Sequence, residues 1–294
     1  MEFNLSEYVQ ENPAAAATTT TTTRVRCAAT AAVAVLRHPF QIMTTTLLSL
    51  LLPLSFLLLA RLATAHYLLS VSEDYPPPPP ASFITSYFIY SKNPTILHLI
   101  VSIISVSSLT NAVTGKTTFL SRSPAEPLTP ARLYVAWLFL VVLQFCVGVG
   151  IEGSIAASVE GSNFGQDGSF ICRLVFFFGL HEIMLFWWRT VVKPVVDDTI
   201  FGGWRAEGRV EKAVVGLSYG GLWWWRLREE VEALVMVAEV KREMMMGVGV
   251  VDFLGFWLYY VTVTVGMVRM LRALVSTVAI LVRRRESRPN DEKV

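Results

Sequence analysis

The sequence predicts an all-α integral membrane protein, a bundle of five or six transmembrane helices. Three observations support this fold class. Hydrophobic residues make up 53% of the chain and charged residues only 16%, whereas about 25% of the residues in a soluble domain are charged. The mean hydropathy is +0.49. The apolar residues also occur in blocks long enough to cross a bilayer.

Residues 1–41, which precede the first block, are predicted to be a disordered cytosolic N-terminus. They contain the low-complexity run Thr18–Thr23, and such polar tracts do not form a packed core. Acidic residues near the start, Glu2 among them, argue against a cleaved signal peptide. The first apolar block is therefore expected to stay in the membrane as an anchor.

A transmembrane domain is predicted over residues 42–282. Its first block is free of charged residues, the second is rich in Ser and Thr, and the third ends in a Gly-rich segment. Small and hydroxyl-bearing residues favour close helix packing and hydrogen bonds between helices in a membrane. The first three predicted spans are residues 42–60, 95–113 and 133–151.

The fourth predicted span, residues 170–192, carries ionisable residues in its interior. His181 and Glu182 lie near its middle, where a charged side chain costs about 2.5–3.5 kcal/mol. Arg189 lies on the same helix face as Glu182, so the two are candidates for one polar seam. These residues indicate either an ion, proton or substrate site, or a protonated glutamate and a neutral histidine packed against other helices.

Residues 193–247 are predicted to form a large cytosolic loop. Within it, residues 213–225 are apolar but too few to span a bilayer, and their three consecutive tryptophans are typical of an interfacial or re-entrant segment. Residues 226–246 have the periodicity of an amphipathic helix. This helix would either dock onto the spans of the protein or bind a partner.

The last apolar block, residues 248–282, fits two registers. If the span begins at the start of the block, Arg269 emerges on the far side. If it begins near Gly255, giving a span of residues 255–282, Arg269 lies near the middle of the membrane. In the second register Arg269 would pair with Glu182, and each would offset the desolvation of the other.

The distribution of Lys and Arg predicts a cytosolic N-terminus, because basic residues are enriched in cytosolic loops. This orientation fits the four loops between five spans. The basic tail, residues 283–294, breaks the pattern, because five spans would place it outside. Either the tail is an exception, or the last block forms a hairpin and makes a sixth span.

Motifs of known chemistry are missing from the chain. His181-Glu182 is not a zinc motif, because Leu185 stands where the second His would be needed. The pair Asp197-Asp198 is compatible with a metal-binding acid pair, although a hydrated helix end is the favoured interpretation. The three cysteines lack the spacing of a zinc site. No cofactor or metal site is therefore predicted, and the net charge of +2 does not indicate nucleic acid.

A resemblance to plant multi-pass membrane proteins rests on two stretches of the chain. They are HPFQIMTTTLLSLLLPLSFLLLARL, residues 38–62, and HEIMLFWWRTVVKPVVDDTIFGG, residues 181–203. The resemblance covers most of the chain between residues 37 and 282. It implies a helical membrane protein and no particular activity.

The function expected from the sequence is that of a non-enzymatic scaffold, in the endomembrane system or the plasma membrane, whose loop 193–247 binds a protein partner. A second hypothesis is a small transporter or channel with His181, Glu182 and Arg269 in its path. A third is a membrane-embedded enzyme acting on lipid that uses Asp197, Asp198 and His181.

Overall fold

The computed structural model describes residues 13–71, 95–114, 130–156, 170–203 and 205–286. These residues form helices and no strand. The chain divides into two compact units, Met1–Met43 and Thr44–Val294. The helical backbone is described from Pro13, so residues 13–41, for which disorder was predicted, are helical. The tail beyond residue 286 lies outside the described residues.

Seven helices account for the described chain. Helix α1 is Pro13–Val71, α2 is Thr95–Thr114, α3 is Pro130–Ala156, α4 is Phe170–Phe201, α5 is residues 209–230, α6 is Ala233–Glu243 and α7 is Val250–Glu286. Among the described residues, five helical segments are long and apolar enough to span a membrane. They lie in α1, α2, α3, α4 and α7, and they match the five predicted spans in order. The protein is an integral membrane protein with a helical bundle.

Helices α4 and α5 each contain a π-helical turn. In α4 the turn covers Trp188–Val192, and the Lys193 N–H bonds to the Trp188 carbonyl. Pro194 follows it, and the wider turn accommodates the missing N–H and the bulk of the proline ring. In α5 the turn covers Trp223–Leu227, the site of the three consecutive tryptophans. Both helices continue beyond their π-turn.

The second unit contains the core of the bundle, with Phe176 of α4 near its centre. Phe176 is fully buried. Its ring packs edge-on against Phe56 of α1 at 6.2 Å and stacks against Trp223 of α5 at 6.1 Å and Tyr259 of α7 at 4.8 Å, measured between ring centroids. Aromatic rings supply a large buried area and favour these arrangements. One side chain therefore joins four helices.

Helix α1 runs antiparallel to α4 within this unit. The Trp187 indole N–H donates to the Leu48 carbonyl at 3.1 Å, while Phe56 lies against Phe176, farther toward the start of α4. We call the end of the bundle marked by Leu48 and Trp187 the proximal end. The opposite end, toward which α1 ends at Val71, is the distal end.

Helix α5 runs antiparallel to α4 along the stretch between Arg189 and Arg173. At the proximal end Glu207, which precedes α5, pairs with Arg189 at 3.3 Å. In the middle the Tyr219 hydroxyl donates to the Phe177 carbonyl at 3.0 Å. At the distal end Glu232, just beyond α5, pairs with Arg173 at 2.5 Å. The 22 residues of α5 correspond to about 33 Å of helix, so α5 crosses the bundle from end to end.

This arrangement corrects the prediction for residues 193–247. They do not form one loop at one end of the bundle. Residues 193–201 extend α4, residues 209–230 return along it, and Ala233–Glu243 forms α6 at the distal end. The last block is a single helix, α7, so the predicted hairpin alternative is wrong. Residues 209–230 return along the bundle but are not among its five candidate membrane spans.

Helix α7 runs parallel to α4 and ends at the proximal end. Tyr259 lies beside Phe176, and ten residues later Arg269 lies beside Glu182. The first half of α7 packs against α2, α4 and α6. From Leu271 to Arg283 every side chain is exposed. Beyond the hydrogen bond from Arg272 to the Val113 carbonyl, the second half of α7 thus lies free of the described bundle.

Thiol labelling of cysteines at Gly203 and Gly247 tests whether α5 crosses the membrane. A cysteine at Gly203 or at Gly247 has open space around it. In sealed vesicles that contain the protein, we expect an impermeant thiol reagent to label the Gly203→Cys and Gly247→Cys variants from opposite sides. A cysteine after Lys293 should share the side of Gly203→Cys. Labelling of both glycine variants from one side would mean that α5 does not cross the membrane.

Candidate functional site

An ion pair between α4 and α7 is the centre of the candidate site. The Arg269 guanidinium contacts the Glu182 carboxylate through Nη1 and Oε2. The side chain of Glu182 is 18% exposed and that of Arg269 is 41% exposed. The sequence predicted this pairing from the second register of the last block, and the pairing is present in the structure.

The pair forms because α4 and α7 approach each other at two glycines. A side-chain Cβ on Gly179 would lie 1.9 Å from the Thr262 carbonyl oxygen, and one on Gly266 would lie 2.1 Å from the Val175 carbonyl oxygen. Only glycine permits backbones this close. One turn beyond the crossing, Arg269 reaches Glu182.

Contacts at both ends of α4 place Glu182 in the interior of the bundle. Arg173 binds Glu232 through two hydrogen bonds, at 2.5 and 2.9 Å, at the distal end. Arg189 pairs with Glu207 at the proximal end. Glu182 lies between these two levels, where each unpaired charge would cost about 2.5–3.5 kcal/mol. Arg269 offsets that cost for Glu182.

The sequence suggested that Arg189 and Glu182 line one polar seam. In the structure Arg189 pairs with Glu207 instead. Its partner Glu207 also binds Lys212 at 2.5 Å. These three residues form a cluster at the proximal end, where the chain turns from α4 into α5. Arg189 is therefore not part of the candidate site, and Glu182 pairs with Arg269 alone among these cations.

His181 faces a different neighbour from Glu182. Its ring lies 5.5 Å from Tyr219 and 6.5 Å from Phe177, measured between ring centroids. Its Nε2 is 3.8 Å from the position of a Cβ on Gly216. Successive residues of a helix point about 100° apart, so His181 contacts α5 while Glu182 contacts α7. The structure brings Arg269 to Glu182 but places His181 among aromatic rings.

Asp197 and Asp198 occupy different environments. Asp197 is 1% exposed and accepts a hydrogen bond from Lys193 Nζ at 2.5 Å, while Lys193 itself is 3% exposed. Asp197 also accepts from the Arg205 backbone N–H at 3.2 Å. Asp198 is exposed. Asp198 is thus hydrated near the end of α4, as expected for a hydrated helix end, whereas Asp197 is committed to a buried structural contact.

Metal ligands and thiols do not add to this site. In the ranges that the structure describes, no three His, Cys, Asp or Glu residues are grouped to hold a metal ion. Cys146 is buried and Cys172 is exposed, both as free thiols.

The chain was compared with known proteins. No family description, curated protein or solved structure matches it. A function for the candidate site must therefore be inferred from its geometry.

Sequence reasoning missed the ion pairs at the distal end. Arg61 binds Glu230 through two hydrogen bonds, at 2.5 and 2.9 Å. Lys241 binds both carboxylate oxygens of Asp252 at 2.9 Å. Arg61 and Glu230 are 169 residues apart, and Lys241 and Asp252 lie on two different helices, so no helical spacing within one segment signals either pair. Together with Arg173 and Glu232 they fasten α5 and α6 to the distal end of the bundle.

Proposed function

We propose that the protein is a proton-linked transport protein in which Glu182 takes up and releases the proton. The observation that carries this proposal is the Glu182–Arg269 pair, which lies inside the bundle between two candidate spans. Ionisable residues within transmembrane segments are costly and are characteristic of ion and proton pathways.

The chemistry follows from the pairing of opposite charges. When Glu182 is ionised, it neutralises Arg269 and holds α7 to α4. When Glu182 takes up a proton, Arg269 becomes an unpaired cation in a medium of low dielectric constant. The protonated and ionised states therefore favour different arrangements of α4 and α7, which is what alternating access requires.

Two other functions expected from the sequence are less favoured by the contacts of the residues on which they depend. The scaffold hypothesis needed residues 193–247 as a partner-binding loop, but most of this segment packs on the bundle. The lipid-enzyme hypothesis needed Asp197 as a reactive acid, but Asp197 is buried against Lys193.

The orientation belongs to the same proposal. If α5 crosses the membrane as a sixth span, three basic segments lie on the proximal side. They are the second loop, residues 193–212 and the tail. The basic tail no longer breaks the charge pattern. We propose that the proximal end and the N-terminus face the cytosol, in an endomembrane or the plasma membrane.

Replacement of Glu182 tests the proposed function. In proteoliposomes with a pH gradient and a trapped pH dye, we expect the Glu182→Gln variant to carry protons about a hundredfold more slowly than the wild type. Glutamine keeps the size and a hydrogen-bonding group but does not titrate.

The matched control is Glu239→Gln, because Glu239 is exposed on α6. It should carry protons at the wild-type rate. Unchanged flux in Glu182→Gln, or wild-type flux no faster than that of empty liposomes, would refute the proposal. Size-exclusion chromatography of each variant shows whether a loss of flux is a loss of folding.

A further inference from the structure

Three serines form a buried polar face on α2. Ser102, Ser105 and Ser108 recur every third residue, so they lie along one side of the helix. All three are at least nine-tenths buried. Their hydroxyl oxygens form no hydrogen bond with any residue that the structure describes. A buried hydroxyl without a partner costs about 1–3 kcal/mol, so these three groups call for one.

Other hydroxyls in the same bundle behave differently. Ser49 donates to the Thr45 carbonyl at 2.6 Å, Thr190 to the Phe186 carbonyl at 2.7 Å, and Thr262 to the Leu258 carbonyl at 2.8 Å. This bond to the preceding turn is the usual choice for a Ser or Thr within a helix. The three serines of α2 do not form this bond with the preceding turn.

The serine face lies beside the helices that carry the ion pair. α2 packs mainly against α7 and also against α4. The Arg272 guanidinium donates to the Val113 carbonyl at 2.9 Å. Because α7 is exposed from Leu271 onward, α2 must lie along the preceding half of α7 and run parallel to it. Ser108 then lies within about one helical turn of Arg269 in depth.

We propose that Ser102, Ser105 and Ser108 line a file of water molecules that delivers protons from the distal end to Glu182. This inference rests on the proposed function and names the route of its proton. Water in a polar, buried space bonds to two to four partners, and each serine hydroxyl both donates and accepts. Each oxygen gives one proton to the next and receives one from the last, and the file ends at the Glu182 carboxylate, which becomes a neutral acid.

Thiol reactivity tests whether the serine face is wet. Single cysteines are placed at Ser102, Ser105 or Ser108 in the full-length protein, with Cys27, Cys146 and Cys172 replaced by serine. The probe is the water-soluble methanethiosulfonate ethylammonium, which reacts with the thiolate and therefore needs water at the thiol. The matched controls are Ile103→Cys and Val106→Cys, which lie between the serines in depth but on the exposed face.

We expect Ser105→Cys and Ser108→Cys to react at least about tenfold faster than both controls. Modification should also slow proton flux, because it blocks the file. Equal reactivity on the two faces of α2 would overturn the water file, even if Glu182→Gln abolishes flux.

The reverse outcome separates the two proposals. If the serine positions react quickly but modification leaves proton flux unchanged, the water does not deliver the proton and the inference is overturned. If Glu182→Gln also leaves flux unchanged, the proposed function fails with it.

Discussion

Replacement of Gly179 by alanine is expected to destabilise the bundle by about 3 kcal/mol, the upper part of the range for overpacking. The new Cβ would lie 1.9 Å from the Thr262 carbonyl oxygen. That atom belongs to a helix backbone, so no side-chain rotation can relieve the overlap. α4 and α7 must separate, which also pulls Arg269 from Glu182. Unfolding in detergent, followed by circular dichroism, measures the change.

Gly148→Ala is the matched control for this substitution. Gly148 lies in α3, and a Cβ there meets nothing within 4 Å. Alanine is favoured over glycine within a helix by about 1 kcal/mol, so this variant should be as stable as the wild type or more stable. If both alanine variants lose the same stability, the close crossing of α4 and α7 is not what the glycine at 179 provides.

Removal of the Asp197 carboxylate should have a comparable or larger effect. Asp197→Ala leaves the Lys193 ammonium buried without its counter-charge and the Arg205 N–H without its acceptor. Breaking a buried ion pair from one side costs about 3–5 kcal/mol. The same unfolding measurement applies, and Asp198→Ala, at the exposed neighbour, should change stability by less than about 0.5 kcal/mol.

A double replacement distinguishes a lost pair from a lost shape. In Lys193→Met combined with Asp197→Leu, no charge remains buried, so most of the stability should return. A double variant as unstable as Asp197→Ala would show that the hydrogen bond to Arg205, rather than the charge pair, holds this end of α4.

The sequence predicted the five spans because each is a long apolar block, a property that needs no knowledge of neighbours. The path of α5 along the bundle could not be predicted, because the apolar residues 213–225 are too few to indicate a span. Charged residues on both sides of that short block belong to the same helix. Their side chains meet partners at the two ends, Glu207 with Lys212 and Arg61 with Glu230. Helix length, rather than the apolar run, decides whether such a segment crosses.

The candidate site was predicted in part. The pairing of Arg269 with Glu182 could be predicted from the sequence, because two opposite charges at one depth in a membrane attract each other. The facing of His181 toward Tyr219 and the meeting of Gly179 with Gly266 depend on how each helix is rotated about its axis. Uniformly apolar helices carry no stripe that fixes this rotation, so a single sequence does not reveal it.

The free half of α7 gives the Glu182–Arg269 pair a mechanical consequence. The pair lies close to the last point at which α7 is held by the bundle, and Arg283 follows about 21 Å farther along the axis. A rotation of about 10° at the pair would therefore swing Arg283 by about 4 Å. The second half of α7 is a lever arm. The gain or loss of one proton at Glu182 would be transmitted along it as a displacement of Arg283.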